Sequence, residues 1–202
     1  MKPKKRMSAV ARREQLLDLA LAVVATEGFM GLSIDRVAQD AGVTKTLIYH
    51  QFATLDGLAM ALVEREAEAA MRALTAIQAP DAADLQHAMT QFAAAVLAFG
   101  REAPLRWLML LNPPDGGPPE LHEQIARGTA HARGVVLEIV RARATDAEDI
   151  ELTAHLLHAA IEELTRLHLR DPAQYPEARV LAQVRLLAAP LLHDAHPRHP
   201  KA

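Results

Sequence analysis

Cysteine is absent from this 202-residue chain. Its absence removes disulfides, thiolate metal sites, thiol redox sensing and cysteine nucleophiles. Aromatic residues make up only 3% of the sequence, while Ala and Leu dominate it, a balance that favours helices over strands. No apolar run approaches the ~20 residues that a membrane-spanning helix needs. The basic start, MKPKKRMSAVARRE, leads into an amphipathic segment carrying Glu14 and Asp18, where a signal peptide would need an unbroken apolar core. No HExxH, no GxSxG and no phosphate-binding glycine loop occurs, so nothing specific points to an enzyme or a cofactor. These absences lead to the expectation of a cytoplasmic, non-membrane, non-enzymatic protein.

Half of the residues are hydrophobic, enough for a sizeable core. The net charge of −3 is unevenly spread: residues 1–52 hold eight Lys/Arg against five acids, and the remainder holds 14 against 20. A basic N-terminal module on an acidic body suits a protein that presents one end to phosphates.

Every segment reads as helix or loop. Leu16, Leu19, Ala20 and Val23 recur at helical spacing between about Val10 and Thr26, and Gly28 follows as a stop. Ser33 can cap a second helix with the apolar stripe Ile34, Val37, Ala38 and Ala41. Gly42 permits a tight turn, Thr44 can cap a third helix through about Phe52, and Thr54 a fourth that ends before Pro80. Further helices are expected at about Asp84–Gly100, Leu105–Leu111, Pro119–Ala144, Asp146–Leu169 and Pro176–Leu192, with Asn112–Glu120 a loop. The expected fold class is all-α.

The stretch SIDRVAQDAGVTKTLIYHQFATLDGL, from Ser33 to Leu58, has the grammar of a helix-turn-helix. In that motif the second helix lies in a DNA major groove with its N-terminal part near base edges. Ile48 and Phe52 fall on one face and should anchor the helix; Thr46 and His50 fall opposite, flanked by Lys45, Leu47 and Tyr49. Lys45 can reach a guanine edge or a phosphate, and Leu47 a thymine methyl. Tyr49, His50, Thr44 and Thr46 can hydrogen-bond the backbone. Each has a plain structural alternative: Thr44 as a cap, Leu47 packed inward, Tyr49 lying over the first helix.

The order and spacing of REQLLDLALAVVATEGF, Ser-Ile-x-x-Val-Ala, AGVTKTLIYHQF and the segment containing Leu58 resemble the tetracycline-repressor (TetR/AcrR) family of bacterial regulators over about the first quarter of the chain. The resemblance implies an N-terminal three-helix DNA-binding domain (10–53) behind a basic flexible arm (1–9). It also implies a C-terminal helical ligand-binding and dimerisation domain (54–195), which a tail (196–202) follows. It implies a homodimer on double-stranded operator DNA, usually a repressor, that a small-molecule effector releases. The DNA-facing positions it implies are Thr44, Lys45, Thr46, Leu47, Tyr49, His50 and Gln51, and Ser33 is a further DNA-binding candidate. Two positions depart from the family pattern: Leu55 stands where Lys is common, and Gln51 where His or Tyr is usual. Together they suggest either weaker backbone binding or an arm whose cations Lys2, Lys4, Lys5 and Arg6 compensate by reaching the minor groove.

The body is less specific. Val180, Val184, Leu187 and Leu191 form one seam, and the helix bearing Leu157, Ile161 and Leu164 is apolar on two faces. Such a helix needs two partners, either its own domain and a symmetry mate or two sides of one monomeric core. Met89, Phe92, Phe99, Trp107, Leu110 and His131 are candidates to line a pocket for an apolar or aromatic effector. His155, His158 and Glu162 fall on adjacent helical positions, a spacing common by chance in a His-rich helix, and no metal is assigned. Three other readings stand beside the repressor: an activator of the same fold, a regulator controlled by a protein partner, and a helical interaction module without specific DNA binding.

Overall fold

The computed structural model describes residues 7–77, 84–111, 116–143 and 149–189. Nine α-helices run through them: α1 (Ala9–Glu27), α2 (Ile34–Ala41), α3 (Lys45–Phe52), α4 (Leu55–Ala76), α5 (Leu85–Glu102), α6 (Pro104–Leu111), α7 (Pro119–Arg143), α8 (Ile150–Arg170) and α9 (Glu177–Ala188). A single 3-10 turn at Phe29–Gly31 separates α1 from α2, and no strand occurs among the described residues. None of these helices is long and apolar enough to cross a membrane. The arm residues Lys2, Lys4, Lys5 and Arg6, the loop residues 112–115, the expected helix margins at Pro80, Ala144, 146–148 and 190–192, including Leu191, and the tail lie outside the described residues.

Local chemistry sets the helix ends. Ser8, Ser33, Asp84 and Asp149 each accept a backbone N–H in the first turn of α1, α2, α5 and α8, satisfying donors that have no partner within the helix. Gly42 ends α2 in the left-handed region (φ 64, ψ 38). Its conformation lets Val43 N–H reach back to the Ala38 carbonyl at 3.0 Å, the six-to-one bond of a Schellman stop. Thr44 departs from expectation. It holds the N-cap position of α3, but its side chain makes no capping bond.

The chain forms two compact units, one of Met1–Ala70 with Leu105–Ala126 and one of Met71–Pro104 with Arg127–Ala202. In the first, α1 contributes Leu16, Leu17, Ala20, Val23 and Val24 to a core shared with Val37 of α2, Ile48 and Phe52 of α3, and Leu58 and Leu62 of α4. Met109 of α6 and Leu121 of α7 complete that core. Beneath it sits a fully buried carboxylate. Glu66 Oε2 accepts from Arg106 Nε at 2.6 Å, and Oε1 from Arg65 Nε at 2.7 Å. Arg65 also reaches Glu14 and Asp18 on α1. Glu66, Arg65 and Arg106 thus tie α1, α4 and α6 together by charge where the apolar contacts end.

In the second unit α5, α8 and α9 pack on one another. Gly100 of α5 allows a close approach, since a β-carbon there would lie 3.2 Å from Leu169 of α8. The inner face of α8 is Ala154, Leu157, Ile161, Thr165 and His168, and that of α9 is Val180, Val184 and Ala188. His168 ends α8 by engaging the Tyr175 carbonyl at 2.8 Å through Nδ1.

Candidate nucleic-acid interface

The N-terminal helices present α3 as an exposed rod on a fixed base. Ile48 and Phe52 are buried at 0% and 6% exposure, so one face of α3 is locked into the core. Arg13 of α1 fixes its far end. The guanidinium donates to the Gln51 carbonyl at 2.9 Å and lies 4.4 Å from the centroid of the Phe52 ring. This contact caps an otherwise unpaired carbonyl at the helix C-terminus with a cation and adds a cation–π interaction. The sequence reading used Arg13 only as part of a motif; a contact between residues 38 apart leaves no local signal.

The outward face carries the residues expected there. Thr44, Lys45, Thr46, Tyr49 and His50 are exposed, whereas Leu47 and Gln51 are half-buried. Tyr49 is 51% exposed. Leu47 takes neither extreme. It lines an open groove of about 800 Å³ together with Met7, Ser8, Arg12, Gln15, Gly42, His50 and Gln51. Ser33 is occupied as a cap, its Oγ accepting from Arg36 N–H at 3.2 Å. The Thr44 hydroxyl, which does not cap, keeps its full hydrogen-bonding capacity at the positive end of α3. Leu55 begins α4 with 38% exposure and no charge.

Charge on this surface is largely balanced within the chain. Lys45 pairs with Asp35 of α2, which holds the ammonium above its ordinary proton affinity through a hydrogen bond and Coulomb attraction. Arg36 pairs with Asp40 and Glu27. None of these three acid partners was singled out from the sequence.

The other candidate residues divide between the units. Trp107 and Leu110 belong to the first, where Trp107 is buried and Leu110 packs against the N-terminal core. Met89, Phe92, Phe99 and His131 belong to the second; Met89 and Phe92 are buried, and Phe99 and His131 half-buried. Thr165 Oγ1 and His131 Nε2, both in the second unit, are buried without a hydrogen-bond partner. Of the seam residues, Leu157, Ile161, Val180 and Val184 are buried within their own unit, Leu164 is half-buried, and Leu187 is exposed. The large apolar side chains that α8 and α9 leave outward are Leu152, Leu156, Leu186 and Leu187. His158 lies 3.8 Å from Glu162, and burial, then Arg133 and His155, lower its proton affinity. Among the described residues no three His, Asp or Glu converge as metal ligands.

Comparison with known proteins agrees with this geometry. Residues 16–62 match the family model described as bacterial regulatory proteins, tetR family. A TetR-like transcriptional regulator from Rhodococcus sp. RHA1 superposes with a TM-score of 0.74 at 19% identity, covering 91% of this chain and 96% of that one. A tetR-family regulator from Streptomyces coelicolor gives 0.68 at 21% identity, covering 92% and 82%. The regulator FadR from Bacillus subtilis, solved with stearoyl-CoA, gives 0.63 at 16% identity, covering 87% and 97%. No curated protein matches the chain.

Proposed function

Because the chain belongs to the tetR family of bacterial regulatory proteins, we propose that it is a ligand-responsive repressor. As a homodimer it holds operator DNA, and it releases that DNA when a small apolar or aromatic molecule binds the helical body. The observation that carries the reading is α3: Ile48 and Phe52 fix it from below while Lys45, Thr46, Tyr49 and His50 stand exposed above. On this reading α3 enters the major groove. Thr44, Lys45, Tyr49 and His50 position the backbone, and Thr46, Leu47 and Gln51 lie toward the base edges. The hydroxyl of Ser33 retains a donor for a flanking phosphate.

The outer face of α8 and α9 supports the homodimer reading. Leu152, Leu156 and Leu186 are 57%, 65% and 64% exposed, large apolar side chains on two helices packed on one another that a partner would cover. A two-fold contact would place the same patch against itself. The effector reading is supported by Thr165 and His131, whose buried, unpartnered atoms represent desolvation that a bound ligand's polar group can offset. Because the similar fold of FadR from Bacillus subtilis was solved with stearoyl-CoA, long-chain acyl-CoA thioesters belong in the first effector screen, beside uncharged aromatic compounds.

The test is an anisotropy titration of full-length protein against DNA from upstream of its own gene, with competitor DNA at fixed salt. Tyr49→Ala and Lys45→Ala should each weaken binding by about tenfold, the value of one lost hydrogen bond to a charged group. Competitor-resistant binding that neither change affects would rule out α3 as the reading element.

A further inference from the structure

Lys45 opens α3 at the point where a phosphate or a guanine edge would be met, yet its ammonium already has an anion. Nζ lies 2.6 Å from Asp35 Oδ1, and the two side chains are 59% and 69% exposed. Asp35 sits in the first turn of α2, where the helix dipole favours a negative charge. Lys45 sits in the first turn of α3, where the same field disfavours a positive one. A nearby anion therefore favours Lys45, and two can serve: the carboxylate of Asp35 or a phosphate of DNA. Arg36, the one other Lys or Arg of the two helices, is also matched by acids of its own chain, Asp40 at 2.9 Å and Glu27 at 3.2 Å.

We propose that Asp35 sets the affinity of this surface by competing with DNA phosphates for the Lys45 ammonium, and so restrains sequence-independent binding. The proposal rests on the DNA-binding reading above. When a phosphate takes Lys45, it displaces a counterion from the DNA, but Asp35 is left uncompensated beside a polyanion and recruits a cation in return. The two exchanges cancel, so the pair adds about nothing to the salt dependence. Without Asp35, the full release of about 0.9 cation per phosphate contact stands. Directional contacts to base edges depend less on net charge. Asp35 thus lowers binding to any duplex more than binding to a matched one.

The experiment uses the full chain and a labelled mixed-sequence duplex over a potassium chloride series, with wild type, Asp35→Asn, Lys45→Gln and the double variant. Asp35→Asn should tighten binding at low salt by about three- to tenfold and steepen the slope of log K against log salt by about 0.9. Both gains should shrink in the Lys45→Gln background, as coupled residues require. Asp35→Ser is run alongside, with thermal melts of every variant, so that a folding defect in one leaves the comparison intact. Unchanged or weaker binding by the folded Asp35 variants overturns the proposal and leaves the DNA reading standing if wild type binds. Equal gains with and without Lys45 also overturn it, because Asp35 would then repel DNA without acting through Lys45. No binding by wild type at the lowest salt removes both readings.

Discussion

Gly57 decides the junction between α3 and α4. A β-carbon there would come within 2.0 Å of the Phe52 carbonyl oxygen, a backbone atom that cannot step aside. The preceding Ala53 already holds φ at 62, a value that non-glycine residues adopt at a cost. Thr54 ties the corner by accepting Gly57 N–H at 2.9 Å. Gly57→Ala should therefore cost about 3 kcal/mol or more, at or beyond the upper end for overpacking. DNA affinity should fall with it, because Phe52 anchors α3. Gly134 makes the opposite case: nothing lies within 4 Å of its virtual β-carbon. Gly134→Ala should raise stability by about 0.5–1 kcal/mol through the helix propensity of α7. Thermal melts of the two variants check both signs, and a neutral Gly57→Ala would show that the corner relaxes.

At the scale of the element, the helices were legible wherever their signals are local. Ser33, Gly42 and Pro119 act within a turn of where they stand, and the observed bounds of α2 and the start of α7 follow them. Ile48 and Phe52 were legible as anchors for the same reason, since their spacing alone puts them on one face. The choice of face on α9 was not. Val180, Val184 and Leu187 satisfy helical spacing, but so do neighbouring residues about 100° round the axis. Packing on α5 and α8 buries Val180 and Val184 and turns Leu186 outward. The dimer reading is accordingly tested on the outer face. Leu156→Glu and Leu186→Glu should convert a dimer to a folded monomer in analytical ultracentrifugation, with operator affinity down by more than about tenfold, because two half-sites are no longer held together. A dimer that survives both changes would place the interface elsewhere.

At the scale of the whole molecule, what the sequence could not disclose is what joins residues far apart in the chain. Met109 and Leu121 enter a core built from residues before position 64, and no periodicity announces it. Glu66 stands in a charge-bearing run, EREAE, that reads as a solvated face, yet it is fully buried between Arg65 and Arg106. Removing Glu66 leaves the half-buried Arg106 without this carboxylate while Arg65 keeps Glu14 and Asp18, so the loss should be about 1–3 kcal/mol, below that of a fully buried charge left uncompensated. Glu66→Ala should destabilise the first unit by that order in urea unfolding; a loss under about 1 kcal/mol would mean that water replaces the carboxylate.

The residue beside Arg106 gives that experiment its readout. Trp107 is the single tryptophan of the chain and is 5% exposed, so emission excited at the red edge of the near-ultraviolet, beyond the absorption of the two tyrosines, has one source, shielded from water on α6. Nothing else absorbs at the red edge of the near-ultraviolet, and no label has to be attached. Loosening α6 from α4 would let solvent reach the indole and move its emission to longer wavelength. The protein thus carries its own optical gauge of whether the grip of Arg106 on Glu66 is closed, readable in the same cuvette as a DNA or effector titration.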